Sequence, residues 1–172
     1  MLEIEIKAPC KDLTALEARL RSMGARDFGM LVQKDVYYSH PQRDFGQTDE
    51  ALRLRQENDI ILLVYKGPKI DATSKSREEL EVTVSSFENV DLILRRLGFQ
   101  PFITIAKTRR VYGMRGISIC LDRVEGLGDF VEFEYEGDDL EKGKERIAAL
   151  MRELGIEGNE RRSYLELLMQ RK

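Results

Sequence analysis

A regular alternation of ionic and apolar side chains constrains this chain more than any other feature of its sequence. The first such stretch, Leu2 to Lys7, carries Glu3, Glu5 and Lys7 at every second position, with aliphatic residues between them. Successive side chains of a β-strand point to opposite faces of a sheet, so this spacing predicts a strand with one apolar and one ionic face. The apolar face needs a core to pack against, and the ionic face needs counter-charges or solvent.

Eight segments show this two-residue period. In chain order they are Leu2 to Lys7, Leu31 to Ser39, Ala51 to Gln56, Ile60 to Lys66, Ser76 to Ser85, Phe102 to Tyr112, Gly116 to Val124 and Asp129 to Gly137. Helical spacing of apolar residues occurs between some of them and ends at Gly24, Gly98 and Gly155, because glycine readily takes the left-handed conformation of a helix end. A short C-terminal helix around Leu165 is also expected. The pattern indicates an α+β fold, an antiparallel eight-stranded β-barrel with helices packed on the outside.

The bulk composition excludes several classes of partner. The formal net charge is only -3 although 34% of the residues are charged, and a pI near 5.4 argues against a general nucleic-acid binder. No apolar run is long enough to span a bilayer, and the opening MLEIEIK lacks the features of a signal peptide. We therefore expect a cytoplasmic protein with no membrane or nucleic-acid partner, folded as a single domain of residues 1–172.

The ionic faces of the predicted strands carry acids and bases in equal number. The acids are Glu3, Glu5, Glu79, Glu81, Asp122, Glu132 and Glu134; the bases are Lys7, Arg53, Arg55, Lys66, Arg77, Lys107 and Arg109. A solvated outer face with weak cross-strand ion pairs would explain one such strand. It explains the whole series less well, because solvated faces usually include Ser, Thr, Asn and Gln. If helices cover the apolar face, the ionic face lines the concave side of the sheet as a charged lumen.

The mixture of charges suggests what such a lumen holds. Guanidinium and ammonium groups match the oxygens of a polyphosphate, and carboxylate oxygens suit Mg²⁺ or Mn²⁺, which in turn bridges phosphates. Acids alone would indicate a metal store, and bases alone an anion site. Both together indicate a complex of a divalent metal with a triphosphate.

An ordered series of short motifs resembles the CYTH, or triphosphate-tunnel, family, which includes class IV adenylyl cyclases, thiamine triphosphatases and inorganic triphosphatases. The family signature Glu-x-Glu-x-Lys reads Glu3-Ile4-Glu5-Ile6-Lys7 here. The resemblance continues through the segments 33–38, 51–55, 65–68, 76–81, 107–109, 121–122 and 132–134. The first motif alone is a weak signal, but the series spans nearly the whole chain.

The resemblance implies a tunnel in which bases hold the triphosphate and acids hold the metal. Carried over by position, the metal ligands are Glu3, Glu5, Asp122, Glu132 and Glu134. The residues that bind phosphate are Lys7, Arg53, Arg55, Lys66, Arg77, Lys107 and Arg109, and those expected to act in catalysis are Glu5, Lys107, Arg109 and Glu134. Glu79 and Glu81 either bind a second metal ion or orient the bases, and we favour the second role.

Two segments resemble the class IV cyclase branch more than the thiamine triphosphatases: residues 43–50 and residues 162–168. A loop and a capped helix would also explain them. The cyclase interpretation predicts conversion of ATP to cyclic AMP and pyrophosphate with Mg²⁺ or Mn²⁺. The alternatives are an inorganic or thiamine triphosphatase, and a non-catalytic sensor of nucleotides or polyphosphate; the acidic pI disfavours an RNA 5′-triphosphatase. The sequence leaves the oligomeric state open, a homodimer included.

The sequence assigns no role in the site to His40 and leaves the role of Tyr37 open. His40, the only histidine, precedes Pro41 and is interpreted as a turn residue. Tyr37 shares a predicted face with Gln33 and Asp35, where contact with substrate and a structural role are equally compatible with the pattern.

Overall fold

A computed structural model describes residues 2–69, 77–137 and 139–171 of the chain. Within these residues, the strands and helices follow one another in this order: β1 Leu2–Pro9, α1 Leu13–Ser22, β2 Arg26–Ser39, α2 Phe45–Thr48, β3 Ala51–Glu57, β4 Ile60–Lys69, β5 Arg77–Val84, α3 Phe87–Arg96, β6 Gln100–Met114, β7 Ile117–Val124, β8 Gly128–Gly137, α4 Leu140–Leu154 and α5 Tyr164–Met169. The side chains of two predicted site residues, Glu3 and Arg77, lie outside the described part of the structure.

The eight strands form one sheet in the order β1-β8-β7-β6-β2-β3-β4-β5. The ladders between β1 and β8, β8 and β7, β7 and β6, β2 and β3, β3 and β4, and β4 and β5 are all antiparallel. The predicted α+β fold with eight antiparallel strands is therefore confirmed. Hydrogen bonding between strands does not close the sheet within the described residues, since β1 and β5 stand at its two ends.

Several strands are longer than their sequence pattern predicts, β2 and β6 by the most residues, and the short helix α2 was not predicted. β2 begins at Arg26 rather than at Leu31, and β6 runs beyond both ends of the predicted segment. Gly29 lies within the added part of β2 with φ 100°. Glycine within a strand often marks a local irregularity, but here the strand continues on both sides of it. The single turn of α2 begins after Asp44, whose side chain accepts hydrogen bonds from the backbone of Gly46 and Gln47.

The chain forms two compact units. Unit 1 contains the residues up to Leu31 and those from Lys107 onward, and unit 2 contains Val32–Ala106. The prediction of one domain over the whole chain stays a prediction. No helix in residues 2–69, 77–137 and 139–171 is both long and apolar enough to cross a membrane.

In unit 1, helices α1 and α4 cover the apolar face of the strands. Leu20 of α1 and Ile147 of α4 are fully buried in one cluster with Ile119 of β7 and Phe133 of β8. α4 begins after Asp139, which accepts a hydrogen bond from the backbone of Lys142, and it ends at Gly155 with φ 71°. These caps satisfy backbone groups that the helix itself leaves without partners. The apolar residues of these strands therefore pack against the helices, and the ionic residues that alternate with them lie on the opposite face of the sheet.

In unit 2, helix α3 packs on the apolar side of β3. Leu94 of α3, Leu54 of β3 and Tyr38 of β2 form the buried cluster of this unit. Ser86 caps α3 by accepting a hydrogen bond from the backbone of Asn89. The residues of β3 that alternate with this core are Arg53 and Arg55, so the same separation of faces holds here.

Candidate functional site

The ionic face of unit 1 is built from alternate residues of four adjacent strands. In β8, Val131 and Phe133 are fully buried in the core, whereas Glu132 and Glu134 alternate with them. Pairing between β1 and β8 sets Lys7 opposite Glu132, and Glu5 opposite Glu134. The strands therefore supply a face on which acids and bases are close neighbours.

Several of these charged side chains are buried, which separates them from an ordinary solvated surface. Lys7 is 2% exposed, Lys107 7%, Glu132 5% and Asp122 0%. Charges removed from water in this way require counter-charges or hydrogen bonds to remain ionised. The interpretation of the face as a set of loose surface ion pairs does not account for this degree of burial.

Asp122 is the acceptor around which the bases of unit 1 gather. The two carboxylate oxygens accept hydrogen bonds from Arg109 Nε and Nη2 at 2.7 and 2.6 Å, and Lys107 Nζ lies 3.2 Å from Oδ2. Burial alone would raise the pKa of Asp122, but the hydrogen bonds and charge of Arg109, with the charge of Lys107, hold the pKa below its ordinary value. The carboxylate therefore stays ionised and fixes both bases.

Arg109 connects Asp122 with the acids of β8. Its Nη2 also donates to Glu132, and its Nη1 lies 3.4 Å from Glu134 Oε1. Burial alone would lower the pKa of Arg109, but the hydrogen bond with Asp122 and the charge of Glu132 raise it well above the ordinary value. One guanidinium thus holds three of the acids predicted as metal ligands. The sequence pattern placed these residues on one face but could not show how they pair.

Tyr164 is a site residue that the sequence analysis did not single out. It is the first residue of α5, which begins with a capping box formed by Ser163 and Glu166. Its hydroxyl donates to Asp122 Oδ2 at 2.8 Å. The segment 162–168 had been noted as cyclase-like, with a capped helix as the alternative; the capped helix is present, and it also carries a tyrosine onto the ionic face.

The carboxylates of β1 and β8 supply hard oxygen donors suitable for Mg²⁺ or Mn²⁺. Glu5 and Glu134 lie directly opposite each other in the ladder, and Glu132 follows on the same face of β8. Among the described side chains, no three of the His, Cys, Asp or Glu type are assembled closely enough to hold a metal ion. Mg²⁺ commonly uses one or two carboxylates together with water and substrate phosphates, so this donor set fits such an ion without a ready-made cage.

Unit 2 carries a second buried ion cluster, centred on Asp35. Arg55 Nε and Nη2 donate to the two carboxylate oxygens of Asp35 at 2.6 and 2.7 Å, a bidentate pair. Arg53 Nη1 lies 3.4 Å from Asp35 Oδ2 and 3.4 Å from the Tyr37 hydroxyl. The sequence pattern placed Asp35 on one face with Gln33 and Tyr37 but assigned it no role, and its position as the shared partner of both arginines follows from the register of β2 and β3.

Arg53 keeps one buried donor without a partner. Its Nε is buried and has no hydrogen-bond partner within the described part of the chain. Burial alone would lower the pKa of Arg53, but the nearby Tyr37 and Asp35 raise it, so the guanidinium stays charged. A buried, charged donor with unused hydrogen-bonding capacity suits an anionic ligand.

The remaining predicted residues of unit 2 are more exposed. Lys66 Nζ pairs with Glu79 Oε2 at 2.8 Å, and Arg53 Nη2 lies 4.0 Å from Glu79. Glu79 therefore contacts two bases, and the orienting role that we favoured for it stays a prediction. Glu81 is exposed on the same strand. His40 Nδ1 accepts hydrogen bonds from the backbone of Gln42 and Arg43, so His40 is a turn residue as predicted.

Comparisons with known proteins cover nearly the whole chain. The family model described as "CYTH domain" matches residues 1–164. A Methanocaldococcus jannaschii protein named provisionally as an adenylate cyclase is 40% identical over 172 residues, covering 97% of this chain and 98% of the relative. Adenylate cyclase CyaB of Aeromonas hydrophila is 27% identical, covering 98% and 89%. A solved structure from Pyrococcus horikoshii, 39% identical, superposes with a TM-score of 0.86 and covers 99% of this chain and 100% of its own.

Proposed function

Because this chain belongs to the CYTH domain family, we propose that it is a metal-dependent enzyme that converts ATP to cyclic AMP and pyrophosphate. The observation that carries the proposal is a group of three bases, the buried Lys7 and Lys107 and the half-buried Arg109. They lie on the ionic face of unit 1 among the acids of β1, β7 and β8. The names of the two relatives favour the cyclase among the activities of the family.

The charge balance of this face favours a triphosphate bound together with a metal ion. Lys7, Lys107 and Arg109 carry three positive charges, and the acids around them already offset those charges. A triphosphate alone would therefore add negative charge to a face that contains several carboxylates, which is costly in a partly desolvated site. A divalent cation bound with the triphosphate removes that cost, because it satisfies carboxylate and phosphate oxygens together.

Glu5 and Glu134 would hold the metal ion, with Glu132 beside them. When bound, Mg²⁺ or Mn²⁺ supplies charge neutralisation on the phosphates and lowers the pKa of the attacking hydroxyl. Asp122, which we had also expected as a metal ligand, already accepts hydrogen bonds from Arg109, Lys107 and Tyr164. We assign Asp122 to orienting the two bases.

In the proposed reaction, the 3′-oxygen of ATP forms a bond to the α-phosphorus, and the bond from that phosphorus to the bridging oxygen of the β-phosphate breaks. Pyrophosphate leaves with the electron pair, and the hydroxyl proton passes to water. Lys107 and Arg109 stabilise the charge that develops on the leaving pyrophosphate, and Lys7 holds the remaining phosphate oxygens. The chemistry rests on fixed positive charge, so no side chain is assigned as a dedicated general base.

Product analysis separates this proposal from its alternatives. The protein is incubated with ATP, tripolyphosphate or thiamine triphosphate, with Mg²⁺ or Mn²⁺ and with EDTA in parallel. Cyclic AMP and pyrophosphate from ATP support the cyclase. Orthophosphate from any of the three substrates identifies a triphosphatase instead, and saturable binding without any product identifies a sensor. Turnover that persists in EDTA contradicts the metal dependence.

A further inference from the structure

Tyr164 occupies the space between the two buried lysines of unit 1. The Nζ atom of Lys7 lies 4.2 Å from the centre of the Tyr164 ring, and that of Lys107 lies 4.9 Å from it. Both distances are within the range of a cation–π interaction. The edge of Phe130 packs against the same ring with the centroids 5.2 Å apart, which restricts the ring to this orientation.

The hydroxyl of Tyr164 adds a second, independent link to the site. It donates to the same Asp122 oxygen, Oδ2, that Lys107 and Arg109 Nη2 contact. Burial and then the negative charges of Glu132 and Asp122 raise the pKa of Tyr164. The raised pKa agrees with the geometry, in which the phenol donates its hydrogen bond to Asp122. One side chain thus contacts both ammonium groups through its ring and their shared carboxylate through its hydroxyl.

Two ammonium groups near one another repel, and each loses solvation when it is buried. An aromatic face offsets part of both costs without adding a negative charge, which a third carboxylate would do. A ring also competes weakly with phosphate, because a cation–π contact is worth far less than a charge-assisted hydrogen bond. Such a contact suits ammonium groups that are held in position before the substrate binds and then form hydrogen bonds with its phosphates.

We propose that Tyr164 is a positioning residue that holds the Lys7 and Lys107 ammonium groups and Asp122 in the arrangement that receives the phosphates of the substrate. The inference rests on the proposed function and deepens it, because it makes α5 part of the phosphate site. The first turn of α5 thereby contributes to substrate affinity as well as to folding.

The test measures the binding of a non-hydrolysable tripolyphosphate analogue with Mg²⁺ by calorimetry, so that turnover does not affect the result and the metal ion offsets the charge of the phosphates. Tyr164→Leu, which removes the ring and the hydroxyl, is expected to weaken binding about tenfold. Tyr164→Phe keeps the ring and is expected to recover most of that loss. Tyr112→Phe is the matched control: Tyr112 is also buried, and its hydroxyl also donates to a carboxylate, that of Glu17, but it belongs to the helix-covered core. It should reduce thermal stability and leave tripolyphosphate affinity unchanged.

A second measurement does not depend on the folding of any variant. In the wild-type protein, the ring current of Tyr164 is expected to shift the ε-methylene NMR signals of Lys7 and Lys107 upfield, and tripolyphosphate should change both signals together. The inference is overturned if both lysines show ordinary chemical shifts. It is also overturned if the wild type, Tyr164→Phe and Tyr164→Leu bind the phosphate ligand with equal affinity. A wild-type protein that binds no triphosphate, with or without metal, refutes the proposed function itself.

Discussion

Arg109 and Asp122 lie directly opposite each other in the ladder between β6 and β7, and their side chains form a two-point hydrogen bond. Both groups are removed from bulk water, so each depends on the other for its charge to be tolerated. The pair also determines where Lys107 and Glu132 lie, because both contact one of its members. The stability of unit 1 and the proposed triphosphate site therefore both depend on this pair.

Removal of the buried Asp122 carboxylate should reduce the free energy of unfolding far more than removal of an exposed carboxylate. Asp122→Ala removes the two-point hydrogen bond to Arg109 and the contact with Lys107, so two largely buried charges lose their shared counter-charge, and we expect a loss of about 3–5 kcal/mol in the free energy of unfolding. Asp129→Ala is the control, since Asp129 pairs with the largely exposed Arg123, and it should cost about 0–1 kcal/mol. Urea unfolding of both variants measures the difference. Equal losses would show that the buried pair has no special role in stability.

Glu5→Ala and Lys107→Ala should each abolish turnover while leaving the fold intact. Glu5 is a proposed metal ligand and Lys107 a proposed phosphate ligand, so each loss removes charge stabilisation that the reaction needs. Glu141→Ala and Lys144→Ala are matched controls, because those residues form an exposed pair on α4. Initial rates with ATP and circular dichroism spectra are compared for all four variants. Full activity in either site variant contradicts the assignment of that residue.

Arg53→Ala should weaken triphosphate binding through the loss of a buried, charged donor. We expect an increase in the dissociation constant for a non-hydrolysable ATP analogue of about tenfold or more, as for a charge-assisted hydrogen bond. Arg96→Ala, which removes an exposed arginine from α3 of the same unit, should have no effect. Calorimetric titration at constant salt provides the comparison, and similar constants for the two variants would contradict a contribution of Arg53 to triphosphate binding.

Acid should destabilise the segment that precedes α5 through Glu160. A hydrogen bond from the Arg162 side chain lowers the pKa of Glu160 to about 2 from its ordinary value of 4.5. The contribution of Glu160 to stability is therefore fully present above about pH 4.5 and is lost as the pH falls towards 2. The backbone N–H of Glu160 also donates to the carbonyl oxygen of Lys7, which ties this segment to β1.

Urea midpoints measured at several values between pH 6 and pH 3 test this dependence. The wild type should lose more stability over that range than Glu160→Gln, whose side chain does not titrate. Glu157→Gln, a change at an exposed position of the same segment, should follow the wild type. Parallel curves for the wild type and Glu160→Gln would exclude Glu160 as a source of the pH dependence.

Local pattern was sufficient for the strands and for the composition of the ionic face. The two-residue period decides the face of Glu132. Its neighbours Val131 and Phe133 point into the core under the helices, and consecutive side chains of a strand point to opposite faces, so Glu132 points away from that core. The stop of α4 at Gly155 follows equally from local conformation. The two-residue period did not predict the start of β2, which extends back to Arg26 through Gly29.

The sequence by itself determined which side chains are ionic, which strands carry them and on which face, since these follow from residue type and backbone period. Only the tertiary structure decided which charges meet: Arg109 with Asp122 and Glu132, Asp35 with both Arg53 and Arg55, and Tyr164 with the lysines. Those partnerships depend on strand register and on where a distant helix docks. A short stretch of sequence determines neither the register of the strands nor the docking position of the helix, because both depend on interactions summed over the whole fold.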